Sequence, residues 1–302
     1  MWSVWLLPLV LGGLALFAAS LSAVVTRAEP GVAAVSAPLR DTVRLLLRQR
    51  HRVPRADTVL LRLGICGVPV AALLAATVVP VGGHVVADLA VGVVWFNAVE
   101  VLAWVLVWLV GWGSNSAYAL VGGYRYLAQA LAYELPLMFA LTAPPLAAGT
   151  LRVGAIEQAQ EPLWFVVWLP VAFVAYVVGI AGVTFWGPLS TPAGADLAGG
   201  VFAELSGVDE LLLRAGRYLM LAAGAAFAVP MFLGGGHGPF LPAWAWWLVK
   251  TLAVIGLLVW LRRWPAVRPE RLVTWGWLVL LPLVLLQVLV AGVVVVARGQ
   301  GQ

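Results

Sequence analysis

The sequence predicts an all-α membrane protein: a bundle of about eight transmembrane helices with both termini on the outer side. Three observations predict it. Of 302 residues, 63% are hydrophobic and only 10% are charged, with a mean hydropathy of +1.00, whereas soluble domains carry about 25% charged residues. Apolar runs of spanning length, about 18 residues or more, recur along the whole chain. The basic residues also alternate between connections, so that 15 of 18 fall on one side. The positive-inside rule assigns that side to the cytoplasm. No polar stretch is long enough to bury a core of its own, so the chain reads as a single transmembrane domain over 1–302.

The first span, about Ser3–Val25, is followed rather than preceded by positive charge and is too long for a signal-peptide core. It reads as an N-out anchor. The connection at about 26–62 holds eight arginines. Among them Arg40, Arg44, Arg48 and Arg52 recur every four residues, with Leu39, Val43, Leu46 and Leu47 on other sides. This spacing predicts a surface helix suited to the headgroup plane and to anionic lipid, although topology alone also accounts for the charge. Further spans follow at about Leu63–Val81, Leu89–Val110, Leu127–Ala148, Leu163–Phe185, Tyr218–Leu233, Trp244–Leu261 and Leu272–Ala297. The remaining cytoplasmic loops are expected at about 111–126, with Arg125; at 186–217, with Arg214 and Arg217; and at 262–271, with Arg262, Arg263, Arg268 and Arg271. Only Arg152 and Arg298 fall on the other side. The spans do not pair into similar halves, which argues against a stand-alone transporter built from repeats.

Several classes are excluded or disfavoured. Cys66 is the only cysteine, so the chain forms no internal disulfide and holds no cysteine-bound cluster. His51, His84 and His237 fall in loops, where they cannot hold a haem between spans. With no metal or flavin motif, no cofactor is expected on this chain. Gly234–Gly238 has no strand before it and reads as a turn rather than a phosphate cradle. The basic balance follows from topology, so nucleic acid is not an expected partner; the bilayer is. The 16 tryptophans read as interface belts. Lys250 is the only lysine, and with the Ala/Gly/Val/Leu bias this points to a GC-rich genome and a bacterial plasma membrane.

The informative residues are charges inside spans. Glu134 lies in the run Ala128-Gln-Ala-Leu-Ala-Tyr-Glu-Leu-Pro, with Gln129 and Tyr133 as polar neighbours and Pro136 freeing a backbone carbonyl one turn back. Glu100 interrupts the run Leu89–Val110, with Asn97 one turn away. A carboxylate at bilayer depth costs about 2.5–3.5 kcal/mol on insertion scales, and such groups usually face a bundle interior or a wet cavity and handle protons or ions. The alternative is a structural glutamate bonded to a neighbouring helix. Lys250 is the only cation within a span; it either snorkels or pairs with a carboxylate such as Glu100 or Glu134. In the 186–217 loop, Glu204 precedes Ser206-Gly207, and Asp196, Asp209 and Glu210 supply further acid. Simple solvation is the alternative there.

The stretches Asp88-Leu-Ala-Val-Gly-Val, Gly111-Trp-Gly-Ser-Asn-Ser-Ala-Tyr-Ala-Leu-Val-Gly-Gly-Tyr-Arg125, Ala128-Gln129 and Ala132-Tyr-Glu134 resemble membrane subunit 1 (the H subunit) of respiratory complex I, a family that includes the equivalent subunit of energy-converting membrane-bound hydrogenases. Pro38-Leu-Arg-Asp-Thr-Val-Arg-Leu-Leu, Gly149-Thr-Leu, Glu157-Gln-Ala-Gln160, Asp196-Leu-Ala-Gly-Gly, Glu204-Leu-Ser-Gly207 and the final Lys250-Thr, Arg268, Leu272, Gly276-Trp277 and Leu281-Pro-Leu extend the likeness over nearly the whole chain.

The resemblance implies an H-subunit-like bundle in a proton-translocating NADH-quinone oxidoreductase. Such a component joins a peripheral redox arm to antiporter-like and small membrane subunits, shapes part of a quinone chamber, and starts a chain of carboxylates. Glu134 would belong to that chain, with Glu100 and Lys250 as relay partners and Glu204 at its cytoplasmic entry. Arg125, Tyr133 and Asp196 would border the quinone-side junction. The departures fall on that side. The family's R-x-P-F-D-x-P-E-A-E loop appears here as Trp186-Gly-Pro-Leu-Ser-Thr-Pro-Ala-Gly-Ala195, without its arginine and acids; Leu205 replaces the tyrosine of E-Y-S-G; and the first loop lacks the Q-x-R-x-G-P-N segment. Either the acceptor chamber is modified, or the chain couples ions within a hydrogenase-like or cation/proton antiporter-type complex without a quinone site of its own.

Overall fold

The computed structural model describes residues 2–26, 32–51 and 53–299. Among them, eight helices are long and apolar enough to cross a membrane, and no strand occurs. The molecule is a multi-pass membrane protein. The spanning helices are α1 (Trp2–Thr26), α3 (Thr58–Ala76), α4 (Gly92–Gly113), α5 (Ala117–Ala148), α7 (Pro170–Val183), α8 (Val208–Phe232), α9 (Ala243–Trp260) and α10. The last runs from Pro269–Trp275 through a π-helical turn at Gly276–Leu280 into Leu281–Gly299. Shorter helices in the connections include α2 (Ala37–Leu47) and α6 (Val153–Gln158). Arg27 and Arg52, expected in the first basic connection, lie outside the described residues.

The centre is built by α5 and α8. From Met220 to Phe232, α8 is buried throughout, and its run Ala222-Ala-Gly-Ala-Ala226 lets neighbours approach closely, as small residues do between membrane helices. It packs on α1, α3 and α9, while α5 packs on α4, α7 and α10. At the edge, α1 and α10 are mostly exposed: only 22% and 11% of their most apolar windows are buried.

Two helices begin earlier than hydropathy predicts. α5 starts at Ala117 and α8 at Val208, so much of the expected 111–126 loop, and the part of the 186–217 loop carrying Arg214 and Arg217, is helical. In both cases the helix continues past the apolar core into a polar first turn or two. The rest of the 186–217 loop folds as short 3₁₀ turns over Gly187–Phe202. It lies against the start of α5 at Gly122, where a Cβ would come within 2.6 Å of the Val201 amide.

The expected effect of Pro136 has a structural counterpart. Proline at 136 cannot bond the Ala132 carbonyl, and α10 approaches there: a side chain at Gly276 would collide with that oxygen. Trp277 Nε1 donates to the neighbouring Leu131 carbonyl at 3.0 Å.

Candidate functional site: a paired carboxyl group between two helices

α4 and α5 are adjacent spans joined by a short turn, and Glu100 and Glu134 meet where they pack. Glu100 is 1% and Glu134 7% exposed. The two carboxyls lie within reach of each other, and among the described residues no donor other than the facing carboxyl is placed to bond their four oxygens. Tyr133 joins them. Its ring is buried edge-on to Trp104, centroids 6.4 Å apart, and its hydroxyl lies buried near that of Tyr126. The ring has room because residue 182 on the facing α7 is glycine, where a methyl would overlap it. Leaving one buried polar group unbonded costs about 1–3 kcal/mol, so several such atoms in one interface need an explanation beyond packing.

The cluster continues along both helices. Glu100, Trp104 and Trp108 recur every four residues on α4, so they share one face. The indole Nε1 atoms of both tryptophans are buried without acceptors among the described residues. On α5, Tyr126 donates to Val183 O at 2.7 Å, and Gln129 donates to Gly182 O at 3.1 Å while accepting from Thr191 at 3.4 Å. Trp104 and Trp108 read as belt residues in the sequence; instead, Trp104 packs on Tyr133 beside the carboxyl pair, and Trp108 lies farther along the same α4–α5 interface, against Gly123. Their i, i+4 spacing from Glu100 was the available signal.

Glu204 sits at the arginine-rich end, where it accepts from Ser116 Oγ at 2.7 Å. It borders a cavity of about 240 Å³ together with His51, Arg55, Arg62, Ser114 and Asp209. The Ser206-Gly207 step that follows closes this end onto the first connection: Ser206 Oγ accepts from the His51 amide and donates to Gln49 O. Arg125 and Asp196 pair with each other at 2.7 Å near the surface. Tyr133, expected at that junction, lies about 12 Å farther along α5, at 1.5 Å per residue.

Lys250 joins neither carboxyl. Its ammonium donates to the carbonyls of Leu233, Gly235 and His237 at 2.7, 2.9 and 2.8 Å and lies 4.1 Å from the Trp164 ring centre. It therefore ties the glycine-rich 233–238 turn to α9. Glu157 on α6 holds the same turn, accepting from the Gly236 amide at 2.8 Å. Burial pushes this carboxyl above its ordinary range, opposed by the Gly236 N–H, His237 and Lys250.

Trp186, where the family loop has arginine, is fully buried. The guanidinium groups of Arg217 and Arg262 lie 4.7 and 4.9 Å from its ring centre. Arg217 also donates to Thr184 O and Phe185 O at 2.8 and 2.7 Å, capping the end of α7. Positive charge thus reaches position 186 from two other helical segments.

A family model described as NADH dehydrogenase matches residues 5–292. Curated relatives are named as the H subunit of NADH-quinone oxidoreductase. One from Geobacter metallireducens is 37% identical, with 86% of this chain and 83% of the relative covered. One from Geobacter sulfurreducens is 38% identical over 84% and 81%. One from Carboxydothermus hydrogenoformans is 31% identical over 83% and 74%. The chain belongs to the H-subunit family of NADH-quinone oxidoreductase. As a member of that family it carries its paired carboxyls in the α4–α5 interface and a cavity at the arginine-rich end.

Proposed function

We propose that this chain is a membrane subunit of a complex I-like, proton-translocating NADH-quinone oxidoreductase in a bacterial plasma membrane, and that Glu100 and Glu134 bind and release the translocated proton as a pair. The observation that carries this is the facing of two buried carboxyls that, among the described residues, no donor outside the pair satisfies. Two carboxyls sharing a buried site repel when both are ionised, so they gain or lose a proton as one coupled unit. Tyr133 supplies a hydroxyl beside them that both donates and accepts. Trp104 and Trp108 supply only N–H donors: they orient a hydrogen-bonded path without passing a proton along it.

The cavity lined by Arg55, Arg62 and Glu204 is the quinone-side end of this reading, and Glu204, held by Ser116, is the entry carboxylate. Quinone is the substrate of the assembled complex, and the redox cofactors sit on partner subunits of a peripheral arm. Other membrane-arm subunits cover the exposed flanks. No step is routed through Lys250, whose ammonium is held by backbone. A second reading rests on the uncharged Trp186–Ala195 loop: an ion-translocating subunit of a hydrogenase-like or antiporter-type complex without its own quinone site. Inhibition by quinone analogues separates the two.

The test is Glu134→Gln in the assembled complex. Electron transfer to quinone should persist while proton uptake per electron falls several-fold. Assembly with wild-type proton translocation would overturn the role.

A further inference from the structure

Two interrupted helical ladders meet beside the carboxyl pair. In α5, Pro136 has no N–H to give the Ala132 carbonyl. In α10 the turn Gly276–Leu280 is π-helical: the Leu281 N–H bonds the Gly276 carbonyl, five residues back, and Pro282 follows with no N–H of its own. Single π-turns are rare within α-helices and occur frequently at functional sites. This one faces the break in α5. A side chain at Gly276 would collide with the Ala132 carbonyl, whereas at Gly292, farther along the same helix, a Cβ would meet only Leu146, at an ordinary 3.7 Å. Beside Gly276, Trp277 Nε1 donates to the Leu131 carbonyl at 3.0 Å, using the second lone pair of an oxygen that a helix bonds only once. Both carbonyls belong to the turn of α5 from which Tyr133 and Glu134 leave.

We infer that Trp277 and Gly276 of α10 are positioning residues for the carboxyl pair: they clasp the proline-broken turn of α5 and so set how the Glu134 carboxyl meets Glu100. A helix bends most readily where a proline removes an i→i−4 bond, so the direction in which Tyr133 and Glu134 point depends on what holds that turn from outside. Glu134 does not hold itself, because among the described residues no donor outside the pair is bonded to its carboxyl. The π-turn is the hold. Its residues, Gly276-Trp-Leu-Val-Leu280, include no ionisable side chain, so its influence on the pair passes through the α5 backbone and not through charge. General packing of α10 does not require so close an approach, since only 11% of its most apolar window is buried. The functional consequence rests on the proton-carrying role proposed for Glu134; the positioning itself does not.

The test is infrared difference spectroscopy of the assembled complex across a pH titration, with the proton-to-electron ratio measured alongside. The protonated-carboxyl band that disappears in Glu134→Gln marks this side chain, whether or not it carries the translocated proton. Trp277→Phe removes the N–H and keeps a ring at a position 45% exposed; it should shift or broaden that band and lower the proton-to-electron ratio several-fold while electron transfer persists. Gly276→Ala, which drives a methyl at the Ala132 carbonyl, should change the band further; should it prevent assembly, Trp277→Phe decides alone. Gln287→Met is the control for loosening α10 as a whole. Gln287 ties the same helix to the start of α7, accepting from the Ala172 amide at 2.6 Å and donating to Trp168 O at 3.3 Å, and its loss should lower the melting temperature and leave the band in place. An unchanged band in Trp277→Phe, or the same band change in Gln287→Met, would overturn the assignment. A changed band in Trp277→Phe, with wild-type proton translocation in both Trp277→Phe and Glu134→Gln, would uphold the positioning and overturn the proton-carrying role instead.

Discussion

Glu100 on α4 and Glu134 on α5 face each other across a buried helix interface, and among the described residues no donor outside the pair is bonded to either carboxyl. Groups that act as a unit are non-additive when removed. Glu100→Gln and Glu134→Gln should therefore each lower the proton-to-electron ratio, and the double variant should be little worse than the more severe single. The ratio measured in proteoliposomes checks this; additive losses would mean two independent roles.

Tyr133 reaches the pair only because α7 offers no side chain at Gly182. Gly182→Ala overpacks this contact and should destabilise the protein by about 1–3 kcal/mol, seen as a lower melting temperature in detergent. Proton translocation should fall with it. Tyr133→Phe keeps the ring and should leave stability nearly unchanged while still reducing translocation.

Lys250 is a fastening for the 233–238 turn. Lys250→Met leaves three carbonyls without their donor, and a single buried acceptor left unbonded costs about 1–3 kcal/mol. The variant should lose thermal stability and make the turn sensitive to proteolysis. Complexes that still assemble should retain the wild-type proton-to-electron ratio; loss of that ratio alone, at full stability, would put Lys250 back in the relay.

Glu157 makes the same corner pH-dependent. Its carboxyl is held above the ordinary range, chiefly by burial, so it binds its proton more tightly folded than unfolded. That contribution is fully present below the unfolded value of about 4.3 and is lost as pH rises through the higher folded value. Glu157→Gln keeps an acceptor for Gly236 but has no proton to lose. The stability of the wild type relative to this variant should therefore fall as pH rises from the acid range toward neutrality. A difference independent of pH would rule out this titration.

The eight spans were legible because length and hydropathy alone define them, and the intramembrane position of Glu100 and Glu134 was legible as interrupted apolar runs. The starts of α5 and α8 were not. Tyr118, Tyr124, Arg125, Asp209 and Arg214 lower the hydropathy while the backbone stays helical past the membrane core. Lys250 was legible as a buried cation, but its acceptors are backbone carbonyls of a turn, which no side-chain pattern announces. Trp186 read as the loss of a charge; only folding brings Arg217 and Arg262 over its ring. Trp104 and Trp108 carried a signal in their spacing from Glu100, masked by the general enrichment of tryptophan at membrane interfaces.

If the Glu100–Glu134 pair carries the proton, its protonation changes during turnover. Infrared difference spectroscopy of the complex between oxidised and reduced states reads this directly in the carboxyl C=O region. A protonated-carboxyl band should change between the two states, shift in D₂O and disappear in Glu134→Gln. An identical difference spectrum in that variant, with the complex assembled and transferring electrons, would refute the paired role.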